Sequence, residues 1–146
     1  MTGNPQQGWT QAFAEKKASS FAQTFAPDIR LEASTLVAPV DGAHSVQLVM
    51  EAASNIYEDL VFTHQTTSGG RTYLEWRALA FGGVELGGVT ILTKDEDGLI
   101  VHVSIHHRPL NAALMFSHEL GERLAGVLDR GRHFYSPPER DGGSTA

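Results

Sequence analysis

The sequence contains no cysteine. A chain without thiols forms no disulfide, holds no Cys-ligated zinc or iron–sulfur centre, and has no thiol nucleophile. Basic residues are also scarce, since 11 Lys and Arg stand against 17 Asp and Glu, for a net charge of −6. This charge has the wrong sign for a protein that neutralises phosphates. We therefore expect neither nucleic acid nor an anionic membrane as a partner.

Long apolar runs are absent as well. No stretch of 18 apolar residues occurs, and the N-terminal MTGNPQQGW lacks the basic and apolar regions of a secretory signal. We therefore expect a soluble, cytoplasmic protein. The length of 146 residues, 41% of them hydrophobic, is enough for one domain with a core and a cavity. We place this domain at residues 9–135, between a flexible N-terminus at 1–8 and a flexible C-terminal tail at 136–146.

The hydrophobic pattern predicts helices near both ends of the domain. Apolar residues recur at helical spacing over residues 9–25, 43–55 and 110–128, whereas apolar and polar residues alternate over 29–36, as in a half-buried strand. Runs rich in β-branched and aromatic residues follow the second helix, and glycine-containing turns separate them. These predicted strands lie at 56–65, 71–81, 84–93 and 99–108. Because short turns join consecutive strands, we predict an α+β fold with an antiparallel sheet and helices on one face.

Three segments of the chain resemble the nuclear transport factor 2-like superfamily, in particular its SnoaL-like branch of small bacterial proteins. They are FAPDIRLEAS at 25–34 with PVDG at 39–42, LGGVTILTKDEDGLI at 86–100, and VHVSIHHRPL at 101–110. The resemblance covers about residues 9–125. It implies a cone-shaped, cystatin-like α+β barrel, in which a curved sheet wraps around the N-terminal helices and encloses an apolar cavity. It also implies a homodimer formed through the outer sheet face.

The superfamily includes several kinds of enzyme, so the fold alone does not name a reaction. Its steroid isomerases use a carboxylate base, a tyrosine and a protonated aspartate, and matching the motifs places Ala33, Trp9 and Thr90 at these three positions. Because both carboxylates are missing, steroid isomerisation is disfavoured. Its epoxide hydrolases use an Asp-Arg-Asp relay, but the candidate arginine, Arg77, lacks matching acidic partners. A polyketide cyclase needs one residue that moves a proton, and His107 is the candidate.

Strand parity separates the histidines of the last predicted strand. Val103, Ile105 and His107 share the apolar face that should point into the cavity, whereas His102 and His106 lie on the polar outer face. His107 is either a general acid, a general base or a ligand-orienting group, or it is a histidine that only forms structural hydrogen bonds. The Cα atoms of His102 and His106 should be roughly 13 Å apart, too far for both to ligate one metal ion. We expect no metal and no cofactor.

We expect the protein to bind a small apolar molecule in the cavity. A steroid-, polyketide- or terpenoid-like ligand fits this expectation, and acid–base isomerase, cyclase or lyase chemistry at His107 is one option. The alternative is a non-catalytic dimeric association module or ligand carrier. Alternation in LEWRA directs Trp76 inward and leaves Glu75 and Arg77 in solvent. The candidate ligand-binding residues are Trp9, Phe13, Ala33, Ser34, Met50, Trp76, Thr90, Val103 and Ile105.

Overall fold

The computed structural model of the chain describes residues 5–136. Of the predicted flexible segments, residues 1–4 and 137–146 lie outside this range, whereas residues 5–8 belong to the first helix. The elements in chain order are α1 (Pro5–Glu15), α2 (Ala18–Ala22), β1 (Phe25–Ala33), β2 (Val40–Asp41), α3 (Ala43–Ile56), β3 (Asp59–Ser68), β4 (Arg71–Ala80), β5 (Val84–Lys94), β6 (Ile100–Arg108), α4 (Leu110–Arg123) and α5 (Arg130–His133). The α+β class is confirmed.

The six strands form one curved, unclosed sheet in the order β2-β1-β6-β5-β4-β3. Strands β3 to β6 are consecutive antiparallel neighbours, as the glycine-containing turns between them predict. The pairing of β1 with β6 is parallel, so the expectation of a wholly antiparallel sheet was wrong for this pair. Turn residues determine the direction of strands that follow each other in sequence, but β1 and β6 are far apart in the chain.

The predicted helix over 9–25 is divided into α1 and α2. Lys16 adopts a φ of 60°, a left-handed conformation that ends α1. The aromatic face nevertheless stays together, because the chain folds back at this turn. Trp9 lies 5.3 Å from Phe13 and 5.5 Å from Phe21 between ring centroids, in edge-to-face contact.

The helices cover only one face of the sheet. Burial alternates along β4, where Leu74, Trp76 and Ala78 are buried and Glu75 and Arg77 are exposed. The buried set joins side chains of α1, α3 and α4 in one hydrophobic core. The inner face therefore carries the core and the candidate site, while the outer face is uncovered in the single chain.

Candidate functional site

A small apolar pocket lies between the inner face of the sheet and helices α1, α3 and α4. Seven residues singled out from the sequence line it: Phe13, Ala33, Met50, Trp76, Thr90, Ile105 and His107. Further lining comes from Leu31, Thr35, Leu36, Val49, Ala53, Tyr57, Leu60, Phe62, Phe116 and Leu120. Both the sheet and the helices that cover it thus contribute to one site.

Trp76 and His107 meet on the sheet across a glycine. Gly88 on β5 is the direct neighbour of Trp76 on β4 and of His107 on β6. A Cβ atom at Gly88 would overlap the carbonyl oxygen of His106 and lie 2.8 Å from the indole of Trp76. Because Gly88 has no side chain, the Trp76 and His107 rings can lie edge to face with centroids 5.5 Å apart.

The imidazole of His107 is held in an apolar setting. Its Nδ1 atom is buried and has no hydrogen-bond partner among residues 5–136. Burial, with a smaller contribution from nearby His106, lowers the pKa of His107 from 6.5 to about 4, and a weaker backbone interaction with Ile105 partly opposes this change. The backbone N–H of the same residue donates to Ser34 Oγ at 2.9 Å. His107 is therefore a positioned, uncharged group at neutral pH.

Tyr57 and Phe116 are pocket residues that sequence reasoning missed. Tyr57 directly follows α3, and its ring lies 4.9 Å from Phe116 and 5.6 Å from Trp76 between centroids. Burial raises the pKa of its hydroxyl above the usual range. The ring of Phe116, on α4, lies 5.7 Å from that of His107. The sequence signal for Tyr57 was a single aromatic residue at the end of a helix, but the hydrophobic pattern assigned this residue to the following strand.

The pocket lining carries no formal charge at neutral pH. None of the described lining residues is Asp, Glu, Lys or Arg, and the one histidine is neutral. Its side-chain polar groups are the Trp76 indole N–H, the His107 ring nitrogens and the hydroxyls of Thr35, Tyr57 and Thr90. A carboxylate base is missing from this lining, so proton abstraction there would depend on His107.

Side chains nearly fill the space that the sequence suggested would be a roomy cavity. The space open to the centre of a water molecule is about 20 Å³, close to the minimum for one water. A groove of about 200 Å³ lies on the protein surface beside Lys16. Four side chains line both the groove and the pocket and separate one from the other: Phe13, Tyr57, Leu60 and Phe62. A ligand larger than water therefore requires side chains of the pocket lining to move.

Three candidate ligand-binding residues lie outside the pocket lining. Trp9 is completely buried among the aromatic rings of α1 and α2, and Val103 is completely buried in the core. Ser34 is exposed and fastens β1 to β6, because its hydroxyl accepts from the backbone of His107 and donates to the Ile105 carbonyl at 3.4 Å. The sequence pattern placed Trp9 and Val103 on apolar faces and Ser34 in a strand that ends one residue before it. It did not show that these three side chains lie outside the pocket lining.

The described part of the chain has neither a cluster of metal ligands nor a membrane-spanning helix. Residues 5–136 contain no group of three or more His, Asp or Glu side chains arranged to hold a metal ion. In the same range, no helix is both long enough and apolar enough to cross a membrane.

Comparison with known proteins agrees with this architecture. The SnoaL-like domain family matches residues 7–103, and the chain belongs to this family. The match includes α1 to β5 and the first part of β6, but ends before His107 and before α4. No curated protein sequence matches the chain.

Several solved structures share the fold. A steroid delta-isomerase from Pseudomonas aeruginosa is 26% identical, with a TM-score of 0.76 over 86% of this chain and 95% of that one. An uncharacterised bacterial protein with a cystatin-like fold from Silicibacter pomeroyi is 19% identical, with a TM-score of 0.79 over 84% and 86%. An NTF2-like protein of unknown function from Cytophaga hutchinsonii is 10% identical, with a TM-score of 0.63 over 77% and 96%. The fold prediction is confirmed.

Proposed function

We propose that this protein binds a small, mostly apolar molecule in the pocket between the sheet and helices α1, α3 and α4. One observation carries the proposal: a buried His107 nitrogen without a partner among the described residues stands in the wall of a mostly apolar, uncharged pocket. Buried polar atoms are nearly always hydrogen-bonded, so an orphan atom in a pocket wall is a site for a polar atom of a ligand.

Binding is better supported than proton transfer. A general base works best when its pKa is near the working pH, and the pKa of His107 is lowered to about 4. The likeness to a steroid delta-isomerase supports a ligand of similar size and polarity. The two lining positions that the sequence motifs match to the carboxylates of the superfamily's steroid isomerases hold Ala33 and Thr90, which supply no acid or base. We therefore assign His107 the role of a neutral hydrogen-bonding group and do not assign steroid isomerisation.

The test is a titration with androstenedione, anthraquinone and carvone, which represent steroids, polyketide-like aromatics and terpenoids. We expect at least one to raise the melting temperature and to shift the NMR signals of Trp76 and His107. In Ala53→Leu a larger side chain fills the pocket and should abolish binding. Ala52→Leu, about 100° around the same helix and in a separate surface groove, is the matched control and should bind as before. If none of the three compounds moves the Trp76 or His107 signals, the proposal fails.

We also propose that the outer sheet face joins two copies of the chain. Tyr73, Val89 and Ile91 lie half-buried at its centre although no helix covers them. One end of this face is acidic, with Asp59 and Glu85 beside Leu79. The other end carries Arg71, and also Arg30 and His102, which are paired within the chain with Asp41 and Glu32. Two copies related by an axis perpendicular to the strands would bring Arg71 of each copy toward the acidic end of the other.

Sedimentation tests this association directly. We expect the wild-type chain to sediment at twice its mass of 15.8 kDa and Ile91→Glu to sediment as a monomer. Val37→Glu changes another exposed apolar residue away from the sheet face and should leave the dimer intact. A wild-type mass near 15.8 kDa at micromolar concentration would refute the dimer.

A further inference from the structure

We propose that Trp76 selects the ligand by donating its indole N–H to a neutral acceptor oxygen, so that the pocket takes uncharged carbonyl compounds rather than hydrocarbons, carboxylates or amines. This inference rests on the proposed function and names the ligand class for the same site. It concerns a strand residue that contacts the ligand through one defined atom, Nε1.

The indole N–H of Trp76 is an unsatisfied donor in the pocket wall. Trp76 is 3% exposed, and its Nε1 has no hydrogen-bond partner within the described part of the chain. An indole N–H only donates, so its partner must carry a lone pair. A buried donor that stays unpaired costs free energy, which a ligand oxygen would recover.

Three of the five polar side chains of the site, those of Trp76, Thr90 and His107, lie together on the sheet, whereas Thr35 and Tyr57 lie outside the strands. Trp76 and His107 flank Gly88 on neighbouring strands, and Thr90 lies two residues further along the strand of Gly88. The helical side of the pocket is apolar, with Phe13, Met50 and Phe116 among its residues. A ligand would therefore direct its oxygen toward the sheet and its hydrocarbon body toward the helices.

The absence of charge excludes ionic ligands. The described lining offers neither a cation to a carboxylate nor a carboxylate to an ammonium group. A buried ion without a partner loses its hydration and gains no comparable interaction. His107 does not supply the positive charge, because it is neutral at pH 7.

The other tryptophan provides an internal control. Trp9 is completely buried and its Nε1 likewise has no partner in the described range, but Trp9 does not line the pocket. The sequence has two tryptophans, so only two indole N–H signals are expected in an NMR spectrum. A ligand oxygen bound at Trp76 should move one signal downfield and leave the other nearly unchanged.

The experiment compares three naphthalenes that differ only in a short substituent at position 2, at pH 7.5: 2-acetylnaphthalene, 2-ethylnaphthalene and 2-naphthoate. We expect the ketone to bind about tenfold more tightly than the ethyl compound, the ratio for one buried hydrogen bond. We expect no binding of the carboxylate. In Trp76→Phe the ketone should lose about tenfold in affinity and the ethyl compound should bind nearly as in the wild type.

The outcomes separate the two proposals. If the ketone and the ethyl compound bind equally to the wild type, or if the Trp76 N–H signal does not move with the ketone, the role of Trp76 is overturned while ligand binding stands. If 2-naphthoate binds as tightly as the ketone, the selection against charge is overturned. If no naphthalene perturbs the pocket but androstenedione, anthraquinone or carvone does, the role of Trp76 is overturned and ligand binding stands; if none of the six compounds does, both proposals fail. The wild-type measurements decide these points even if Trp76→Phe does not fold.

Discussion

Acid should destabilise the protein through His107. The pKa of His107 falls from 6.5 in an unfolded chain to about 4 in the folded one. Below pH 6.5 the unfolded state therefore binds a proton that the folded state does not. The stability that this group contributes is fully present above pH 6.5 and is lost as the pH falls toward about 4.

The magnitude follows from the two pKa values. Each tenfold change in proton affinity is worth about 1.4 kcal/mol, so the whole effect is about 3 kcal/mol below pH 4. At pH 5.0 most of the unfolded chains carry the proton and most of the folded chains do not, which makes the loss about 2 kcal/mol. This is a large part of the stability of an ordinary domain.

The assay is urea unfolding of the wild type and of His107→Gln at pH 7.5 and pH 5.0, followed by tryptophan fluorescence. Glutamine does not titrate, so the free-energy difference between the two proteins should change by about 2 kcal/mol in favour of the variant at the lower pH. His44→Gln replaces an exposed histidine and should keep the wild-type pH dependence. A difference that is the same at both pH values would refute the burial argument, as would an NMR titration of His107 with a midpoint near 6.5.

Three further predictions concern the same region. Gly88→Ala should lower the free energy of unfolding by more than about 3 kcal/mol or prevent folding, because the new Cβ would overlap the His106 carbonyl. In the control Gly87→Ala the new Cβ meets mainly the flexible Arg108 guanidinium, so the loss should be less than about 1 kcal/mol. Equal losses for the two variants in urea unfolding would contradict the predicted overlap at Gly88. Ser117→Ala should cost about 1–3 kcal/mol, because the hydroxyl both donates to the Thr35 carbonyl and accepts from the Tyr135 N–H; an unchanged urea midpoint would be inconsistent. Phe62→Ala should speed ligand exchange in NMR line shapes by opening the wall toward the surface groove, and unchanged exchange would show that entry lies elsewhere.

The site residues illustrate what local patterns determine. Alternation along β4 and β6 was enough to direct Trp76 and His107 inward, because a strand turns successive side chains to opposite faces. It was not enough to place Val103, which shares that face but lies away from the pocket. The aromatic wall of Tyr57 and Phe116 was not foreseen, since these residues are distant in sequence and meet only when α3 and α4 pack together.

The sequence by itself determined the α+β class, the family resemblance, the inner and outer sheet faces, and the lack of carboxylates at the pocket positions of Ala33 and Thr90. These properties depend on residue type and on short-range periodicity. Only the tertiary structure decided the parallel pairing of β1 with β6, the division of the first helix at Lys16, and how nearly the pocket is filled. The physical reason is that strand pairing across the chain and the volume left between side chains arise from packing, which local sequence patterns do not specify.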